Sequence, residues 1–468
     1  MSRDALISGD TIVALATPPG RGGVGVLRLS GPQARVIASR VSRQRGGAPS
    51  FPPREMQWVT FVDAAGHPLD SGLVVYFQAP ASFTGEDVVE CHGHGSPRAL
   101  DQLLRALLAA GARHARAGEF SQRAFLNSKL DLSQAEAVAD LIAASTVGAA
   151  RAATRSLQGQ LSRDVTALGE ELLRLRAWCE ATIDFDDEDD VSRDNQAPLA
   201  EGLVRLHDGL RALRARCVAG RALREGLTVV LAGPPNAGKS SLMNALADDE
   251  VAIVTDTPGT TRDLLRETLD LDGLPVHVMD TAGLRETDEA VEKVGIARAH
   301  AAMARADRVL YIVDISQLSA AAPTAPLPTP PPWPTNLPVA IVHNKIDLTG
   351  APPRLERFEG GPIEATLQLS AQTGEGLDHL RAYLRAVAGA DLDATTAGDA
   401  LSARTRHVEA LDRTAEALAR IEGQWRAGDA ELVAEELRVA HGALMEITGE
   451  ITREDLLGEI FSRFCIGK

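Results

Sequence analysis

Hydrophobic positions along the chain follow two rhythms. Through residues 1–125 they form short β-type runs separated by turns: Thr11-Ile12-Val13-Ala14-Leu15, Gly25-Val26-Leu27-Arg28-Leu29, Leu73 to Phe77, and Asp87-Val88-Val89-Glu90-Cys91. The loop Pro18-Pro19-Gly20-Arg21-Gly22-Gly23 joins the first two, and a helix is expected from Ser96 to about Ala110, giving a small α/β domain. From Ser133 the period turns helical, with Ser133 and Glu136 forming a capping-box signature. Leu161, Val165, Leu168, Leu172, Leu175 and Cys179 then recur at alternating spacings of four and three. Leu199, Leu203, Leu206, Leu210, Leu213 and Cys217 repeat the pattern, which is the apolar stripe of bundle helices. The acidic stretch Asp184 to Asp190 between them reads as a solvated connection. The helical rhythm returns at Val408, Leu411, Ala415 and Leu418, and again at Val433, Leu437, Ala440, Leu444 and Ile447.

Between the two helical stretches lies a region with strand runs that each end in chemistry. Thr228 to Ala232 leads into Gly233-Pro234-Pro235-Asn236-Ala237-Gly238-Lys239-Ser240, followed by a helix from Ser241-Leu242. That is the strand–loop–helix setting of a G-x-x-x-x-G-K-[ST] phosphate loop. Its glycines turn backbone N–H groups inward, Lys239 offers a compact charge to the β- and γ-phosphates, and the Ser240 hydroxyl suits Mg²⁺. Val276 to Met279 delivers Asp280-Thr281-Ala282-Gly283, an aspartate toward Mg²⁺ and a glycine N–H toward the γ-phosphate. Val339 to His343 delivers Asn344-Lys345-Ile346-Asp347, whose last carboxylate accepts from the ring N–H and exocyclic amine of guanine, donors adenine lacks. Ser370, Ala371 and Gln372 complete the base pocket. The order is that of a Ras-like G domain binding GTP. Thr255-Asp256-Thr257-Pro258-Gly259-Thr260-Thr261 lies where a threonine must reach Mg²⁺ in the triphosphate state, and Thr261 is the expected ligand beside Ser240. Leu284 stands where many GTPases carry a water-orienting glutamine, so either hydrolysis is slow or another polar group and another cation serve; Glu286, Asp288, Glu289 and Glu292 are near and could supply the carboxylate. Arg262 and Arg285 are the local candidates for a charge-neutralising finger.

Composition narrows the setting. A length of 468 residues allows two or three domains with real cores. The expected boundaries are 1–125, 126–225, 226–390 and 391–468, a helical domain interrupted by an inserted nucleotide domain. Four scattered cysteines suggest a reducing compartment, and no apolar run reaches membrane-spanning length, so a cytoplasmic protein without membrane attachment is expected. A formal charge of −16 argues against unaided binding to a nucleic-acid backbone. Cys91-His92-Gly93-His94 reads as a strand end entering a glycine-rich turn rather than a metal cluster, and Arg35 to Arg45 as a solvated helix face. The proline-rich run Ala322 to Pro338 reads as a surface insertion. Of 48 basic residues only Lys129, Lys239, Lys293, Lys345 and Lys468 are lysine; against that bias Lys129 and Lys468 join Lys239 and Lys345 as candidates for places where a slim stem and point charge matter, with chance retention the alternative for Lys293.

Over essentially its whole length the chain resembles the MnmE (TrmE) family of tRNA-modification GTPases. The specific stretches are Thr17-Pro18-Pro19-Gly20-Arg21-Gly22-Gly23-Val24-Gly25, Ser82-Phe83-Thr84-Gly85-Glu86-Asp87, Gly118-Glu119-Phe120-Ser121 through Asn127, Lys129 and Leu130, and the tail Phe464-Cys465-Ile466-Gly467-Lys468. The resemblance implies an N-terminal folate-binding-like domain that forms a homodimer, with Arg28, Glu90, Lys129 and Lys468 at the positions for a 5-formyltetrahydrofolate. It implies K⁺ in place of an arginine finger, held by Asn236, the backbones of Thr255 and Thr257, and Thr260. It puts Glu292 at the water-positioning carboxylate, and it implies pairing of G domains and an FAD-dependent MnmG partner acting on tRNA wobble uridine. Pro258 and Thr257 depart from the family's cation loop, whose backbone ligands do not depend on side chain. Cys465 is a candidate nucleophile, with membership of a folate-binding tail as the competing reading. A regulatory or ribosome-assembly GTPase switch is the alternative for the whole chain.

Overall fold

The computed structural model describes residues 9–44, 49–184, 197–248, 266–271, 273–280, 306–317, 337–358, 361, 363–388, 398–427, 429–450, 454–462, 464 and 467. The acidic stretch beyond Asp184 and most of the proline-rich run lie outside them. The chain divides into two compact units: Met1–Ala139 with Ser156–His207 and Ala410–Lys468, and Asp140–Arg155 with Asp208–Glu409.

The first unit carries strands β1 Ile12–Leu15, β2 Gly22–Ser30, β3 Ser42–Arg43, β4 Gln57–Val62, β5 Pro68–Phe77, β6 Val88–Gly95 and β7 Arg113–His114. They form one sheet in the order β3-β4-β5-β6-β2-β1-β7, antiparallel throughout except for β1 with β7. Period-two alternation aims Leu27, Leu29, Val59, Phe61, Val74, Val89 and Cys91 at one face. There they meet Ile37, Leu103 and Leu107 from the helices Ala34–Arg40 and Pro97–Ala109. Gly25 lies on that face beneath Leu100, and any side chain there would collide with the leucine.

Three local expectations shift. The strand does not stop at Cys91-His92-Gly93-His94 but runs through to Gly95, because Gly93 and Gly95 pair with Gly25 and Gly22 across the ladder. Cys91 therefore points inward, where burial pushes its thiol up to about 12, while His92 and His94 meet the carboxylates of Glu90 and Asp70 at 3.1 and 2.7 Å. The helix Leu132–Ala143 is capped by Asp131, two residues before Ser133. The Asp131 carboxylate accepts from the Gln134 N–H at 2.9 Å, and the Gln134 side chain accepts from the Asp131 N–H at 3.0 Å. This is a reciprocal box of the expected kind on different residues. Arg35 is not simply solvated: its guanidinium stacks 5.3 Å from the Tyr76 ring centroid.

Helices stand where the apolar periodicity predicts them. Leu161, Val165, Leu172, Leu175 and Cys179 are buried along the helix Gln160–Asp184, and Leu199 through Cys217 along Ala197–Glu225. In the returning helices Thr405–Ala427 and Ala430–Met445 the buried stripe includes Leu411, Leu418, Val433, Leu437 and Leu444. Gly169 gives room for the Met445 thioether, so two helices far apart in sequence close on one another within the first unit.

The second unit holds β8 Leu227–Ala232, β9 Arg266–Leu271, β10 Leu274–Asp280, β11 Arg308–Asp314, β12 Val339–Asn344, β13 Arg354–Arg357 and β14 Ile363–Gln368. Their order is β13-β14-β12-β11-β8-β10-β9. The five central strands are parallel; β9 and β13 are antiparallel edges. Unbroken apolar runs such as Val229–Ala232 and Val309–Val313 are buried on both faces, as a covered parallel sheet demands. From β8 the chain goes first to β10 on one side and then to β11 on the other. Beyond the carboxyl ends of strands at such a reversal, an open sheet binds its ligand.

Candidate functional site

The phosphate loop fills that position, between β8 and the helix Lys239–Asp248. Gly233 and Gly238 have φ of +143° and +95°, and side chains there would collide with the Ile312 carbonyl and the Asn344 amide. Asn236 takes the left-handed conformation at +61°, which asparagine tolerates better than most residues. The Lys239 ammonium donates to the carbonyls of Gly233 at 3.0 Å and Pro234 at 2.8 Å. It is thus folded back under the rim of the loop. Ser240 and Ser241, next along the helix, are exposed.

Asn344 ends β12 and joins three segments. It is 2% exposed. Its amide donates to the Ala237 carbonyl at 2.9 Å, and its carbonyl oxygen accepts from Lys345 N–H at 2.8 Å and Ala371 N–H at 2.9 Å. Phosphate loop, base motif and the Ser370-Ala371 turn are therefore fixed to one buried side chain. Ser370 donates its hydroxyl to Asp347 at 2.6 Å and accepts the Thr373 N–H at 3.2 Å, which orients the guanine-reading carboxylate. Asp347 and Gln372 are exposed at the mouth of this pocket. Asp280 closes β10 in register with Leu231 of β8, which brings its backbone beside the phosphate loop. Donors, cation and purine-reading acceptor converge at one sheet edge, and the arrangement suits a guanine nucleotide. Thr255, Asp256, Thr257, Pro258, Gly259, Thr260, Thr261, Thr281, Ala282, Gly283 and Glu292 lie outside the described residues, so of the expected cation ligands the structure describes Asn236 and Ser240.

The first unit gathers a second group. Arg28 and Glu90 face each other in register on β2 and β6, and the guanidinium donates to Glu90 at 2.9 and 2.8 Å. The same guanidinium lies 5.6 and 5.9 Å from the ring centroids of Phe83 and Phe120. Lys129 is exposed, its stem against Gly85 of the same loop that carries Phe83. Asn127 holds the loop through a 2.7 Å bond to the Thr84 carbonyl. Gly467 is buried against the Leu15 carbonyl at the end of β1; Cys465 and Lys468 beside it lie outside the described residues. An ion pair flanked by aromatic rings and an exposed lysine suits a flat heterocycle bearing carboxylates.

Behind this group stands an ionic network that the sequence motifs contained without revealing. Glu119, 2% exposed, accepts from Arg113 at 2.9 and 2.6 Å, from the Arg116 N–H at 2.8 Å and from Arg123 at 3.2 Å. Arg123 also binds Asp10 at 2.7 Å and Glu86 at 3.0 Å, and Glu86 accepts the Ser30 hydroxyl at 2.6 Å. Burial pushes the Glu119 carboxyl up, but the Arg113 and backbone hydrogen bonds and the two guanidinium charges outweigh it and hold it at about 2. Asp314, at the end of β11, is a further polar residue missed by the sequence reading. Its one signal was position, since it closes an apolar strand run as Asp280 and Asn344 do. Among the described residues there is no His, Cys, Asp and Glu cluster fit to hold a metal ion, and no helix is long and apolar enough to cross a membrane.

Two family models match the chain: the GTP-binding protein TrmE N-terminus over residues 11–129 and the MnmE helical domain over residues 132–465. The tRNA modification GTPase MnmE of Chromohalobacter salexigens is 50% identical over 474 aligned residues, covering 100% of both chains. That of Alkalilimnicola ehrlichii is 51% identical over 462, covering 98% of this chain and 99% of its own. Among solved structures, Aquifex aeolicus Era is 23% identical over 34% of this chain and 56% of its own, with a TM-score of 0.24.

Proposed function

The chain belongs to the MnmE family of tRNA modification GTPases, and from that premise we propose a finer reading of its chemistry. GTP is bound by Asn236 to Ser241 and the Asn344-Lys345-Asp347 and Ser370-Ala371-Gln372 elements. Water attacks the γ-phosphorus in line, the bond to the β-bridging oxygen breaks, and GDP and phosphate leave. Lys239 balances charge on the β- and γ-phosphates, and the backbone donors of the loop point at oxygens whose charge rises as that bond breaks. A Mg²⁺ ion held by Ser240 and Thr261 would offset the negative charge of the phosphates, and a K⁺ ion held by Asn236, Thr255, Thr257 and Thr260 would supply the positive charge of an arginine finger. Glu292 orients the water, the task Leu284 cannot perform.

In the first unit the proposed ligand is 5-formyltetrahydrofolate, held by Arg28, Glu90, Lys129 and Lys468 as the source of a one-carbon unit. Its glutamyl carboxylates suit the basic groups, and its pterin N–H donors suit Glu90. Homodimerisation is supported by the sheet face opposite the helices. Trp58 and Val24 lie on it at 63% and 61% exposure, in line with Leu73, His92 and Val26. The remaining assignments are an FAD-dependent MnmG-like partner that supplies redox chemistry, tRNA wobble uridine as the modified base, and the cytoplasm as the compartment. The boundaries 1–125, 126–225, 226–390 and 391–468 are the proposed domains, and Cys465 is a proposed nucleophile.

The observation that carries the GTPase part is the Asn344 node, which locks phosphate loop and base motif into one preorganised pocket. Mass analysis of tRNA nucleosides from cells with and without the gene tests the whole. Loss of a carboxymethylaminomethyl- or aminomethyl-type group at wobble uridine is expected. Unchanged nucleosides, in cells with no second copy, would transfer the reading to a regulatory GTPase switch.

A further inference from the structure

We infer that Asp314 is a positioning residue for guanine-nucleotide binding, acting through Lys345. The inference rests on the reading of Asn344-Lys345-Asp347 as the base motif. Asp314 is the last residue of β11 and lies in register with Asn344, the last residue of the adjacent parallel strand β12. Lys345 follows with φ of +69°, a left-handed conformation that turns its side chain away from the course of the strand. Its ammonium crosses to the neighbouring strand and meets the Asp314 carboxylate at 2.6 Å.

The receiving carboxylate is itself fixed before any nucleotide arrives. Asp314 has 9% of its side chain exposed, against 31% for Lys345. One oxygen accepts the Ser316 hydroxyl at 2.6 Å and the Ser316 N–H at 3.0 Å; the other accepts the Gln317 amide at 3.3 Å along with the lysine. Local donors therefore hold Asp314 still, and Asp314 in turn holds the far end of Lys345. With both ends of the side chain tied, its apolar stem spans the carboxyl ends of two parallel strands, at the ligand-binding edge of the sheet. A free lysine there would lose rotamer entropy on meeting a purine; a tethered one has already lost it. The residue also explains why a chain so rich in arginine keeps lysine at this position. A slim stem with a point charge reaches one carboxylate, whereas a planar fork would demand a second acceptor.

The test is a cycle of four full-length proteins, wild type, Asp314→Ala, Lys345→Ala and the double variant, titrated with fluorescent mant-GDP. Thermal melting and turnover at saturating GTP are measured alongside. Lys345→Ala should weaken binding by about tenfold or more and Asp314→Ala by about tenfold, the Asp314→Ala loss falling on KM rather than on kcat. The double variant should be no weaker than Lys345→Ala alone, because the carboxylate has nothing left to position. Asp314→Asn, which keeps one acceptor oxygen for Ser316 but sets an amide NH2 where the ammonium binds, should lose affinity as Asp314→Ala does and serves in its place if the alanine variant does not fold. Additive losses in the double variant, or wild-type affinity in Asp314→Ala, would overturn the positioning role while leaving the base motif intact. Wild-type affinity in Lys345→Ala would remove the base-motif reading, and this inference with it.

Discussion

Replacing Glu119 by glutamine should flatten the acid sensitivity of the N-terminal sheet domain. In the folded chain this carboxyl is held at about 2 against an ordinary value of 4.5. The difference, at about 1.4 kcal/mol per pH unit, is worth roughly 3 kcal/mol of stability. Because the folded value is the lower one, the contribution is fully present above pH 4.5, falls as pH drops, and is gone below about 2. Between pH 7 and pH 4 the loss from this group alone is about 1 kcal/mol. The cause is concrete: five donors converge on a side chain with 2% exposure. Glutamine keeps one acceptor and turns a donor toward Arg113 and Arg123. Breaking one member of such a buried set costs about 3 kcal/mol or more, near the lower end here because Asp10 and Glu86 still accompany Arg123.

The assay is amide hydrogen exchange over the helix Glu119–Leu126 in wild type and Glu119→Gln, corrected for intrinsic rates, at several values between pH 7 and 4. Local opening avoids treating a chain of several units as two-state. Protection should be lower in the variant at pH 7, and the gap should shrink by about 1 kcal/mol on reaching pH 4, because wild type loses what the variant never had. A gap that stays constant with pH would refute the assignment of a depressed carboxyl. A gap that widens would reverse its sign. The same variant should weaken folate binding, since Arg123 links Glu119 to Glu86, and Glu86 belongs to the loop that carries Phe83 and Gly85 against Arg28 and Lys129.

GTP turnover should be faster in K⁺ than in Na⁺ at equal ionic strength, by about tenfold or more, and equal rates would remove the cation role of Asn236 and Thr255 to Thr260. Glu292→Ala should lower kcat by about a hundredfold or more with mant-GDP affinity preserved; normal turnover would move the water-positioning task to Glu286, Asp288 or Glu289. Gly238→Ala should abolish measurable GDP binding, because it adds strain at φ +95° and a collision with the Asn344 amide. Retained binding would show that the loop relaxes away from Asn344.

What the sequence makes legible here depends on how far apart the interacting groups lie along the chain. Gly233 to Ser240 is readable as a string because backbone N–H groups, lysine and hydroxyl act within one turn of chain. Asn344 to Asp347 is readable for the same reason. The Asp131–Gln134 cap is nearly so: two candidate boxes lie within six residues, and only the bond from the Gln134 N–H chooses between them. Asp314 is different, since its meaning comes from the register of β11 on β12, and a strand-end aspartate alone has many bland explanations. The family resemblance points to Arg28 and Glu90 one by one, yet their pairing follows from the antiparallel register of β2 on β6 across 62 residues. That pairing also bears on the chemistry. A ligand carboxylate approaching Arg28 must share or displace Glu90, and a pterin amine approaching Glu90 must compete with a guanidinium already in place. A ligand that presents both groups at once exchanges one paired set for another, so neither charge is left buried alone. A simple dicarboxylate offers only half of that exchange. The cross-strand pair, more than either residue, is therefore the feature on which the proposal of a folate over smaller acids rests.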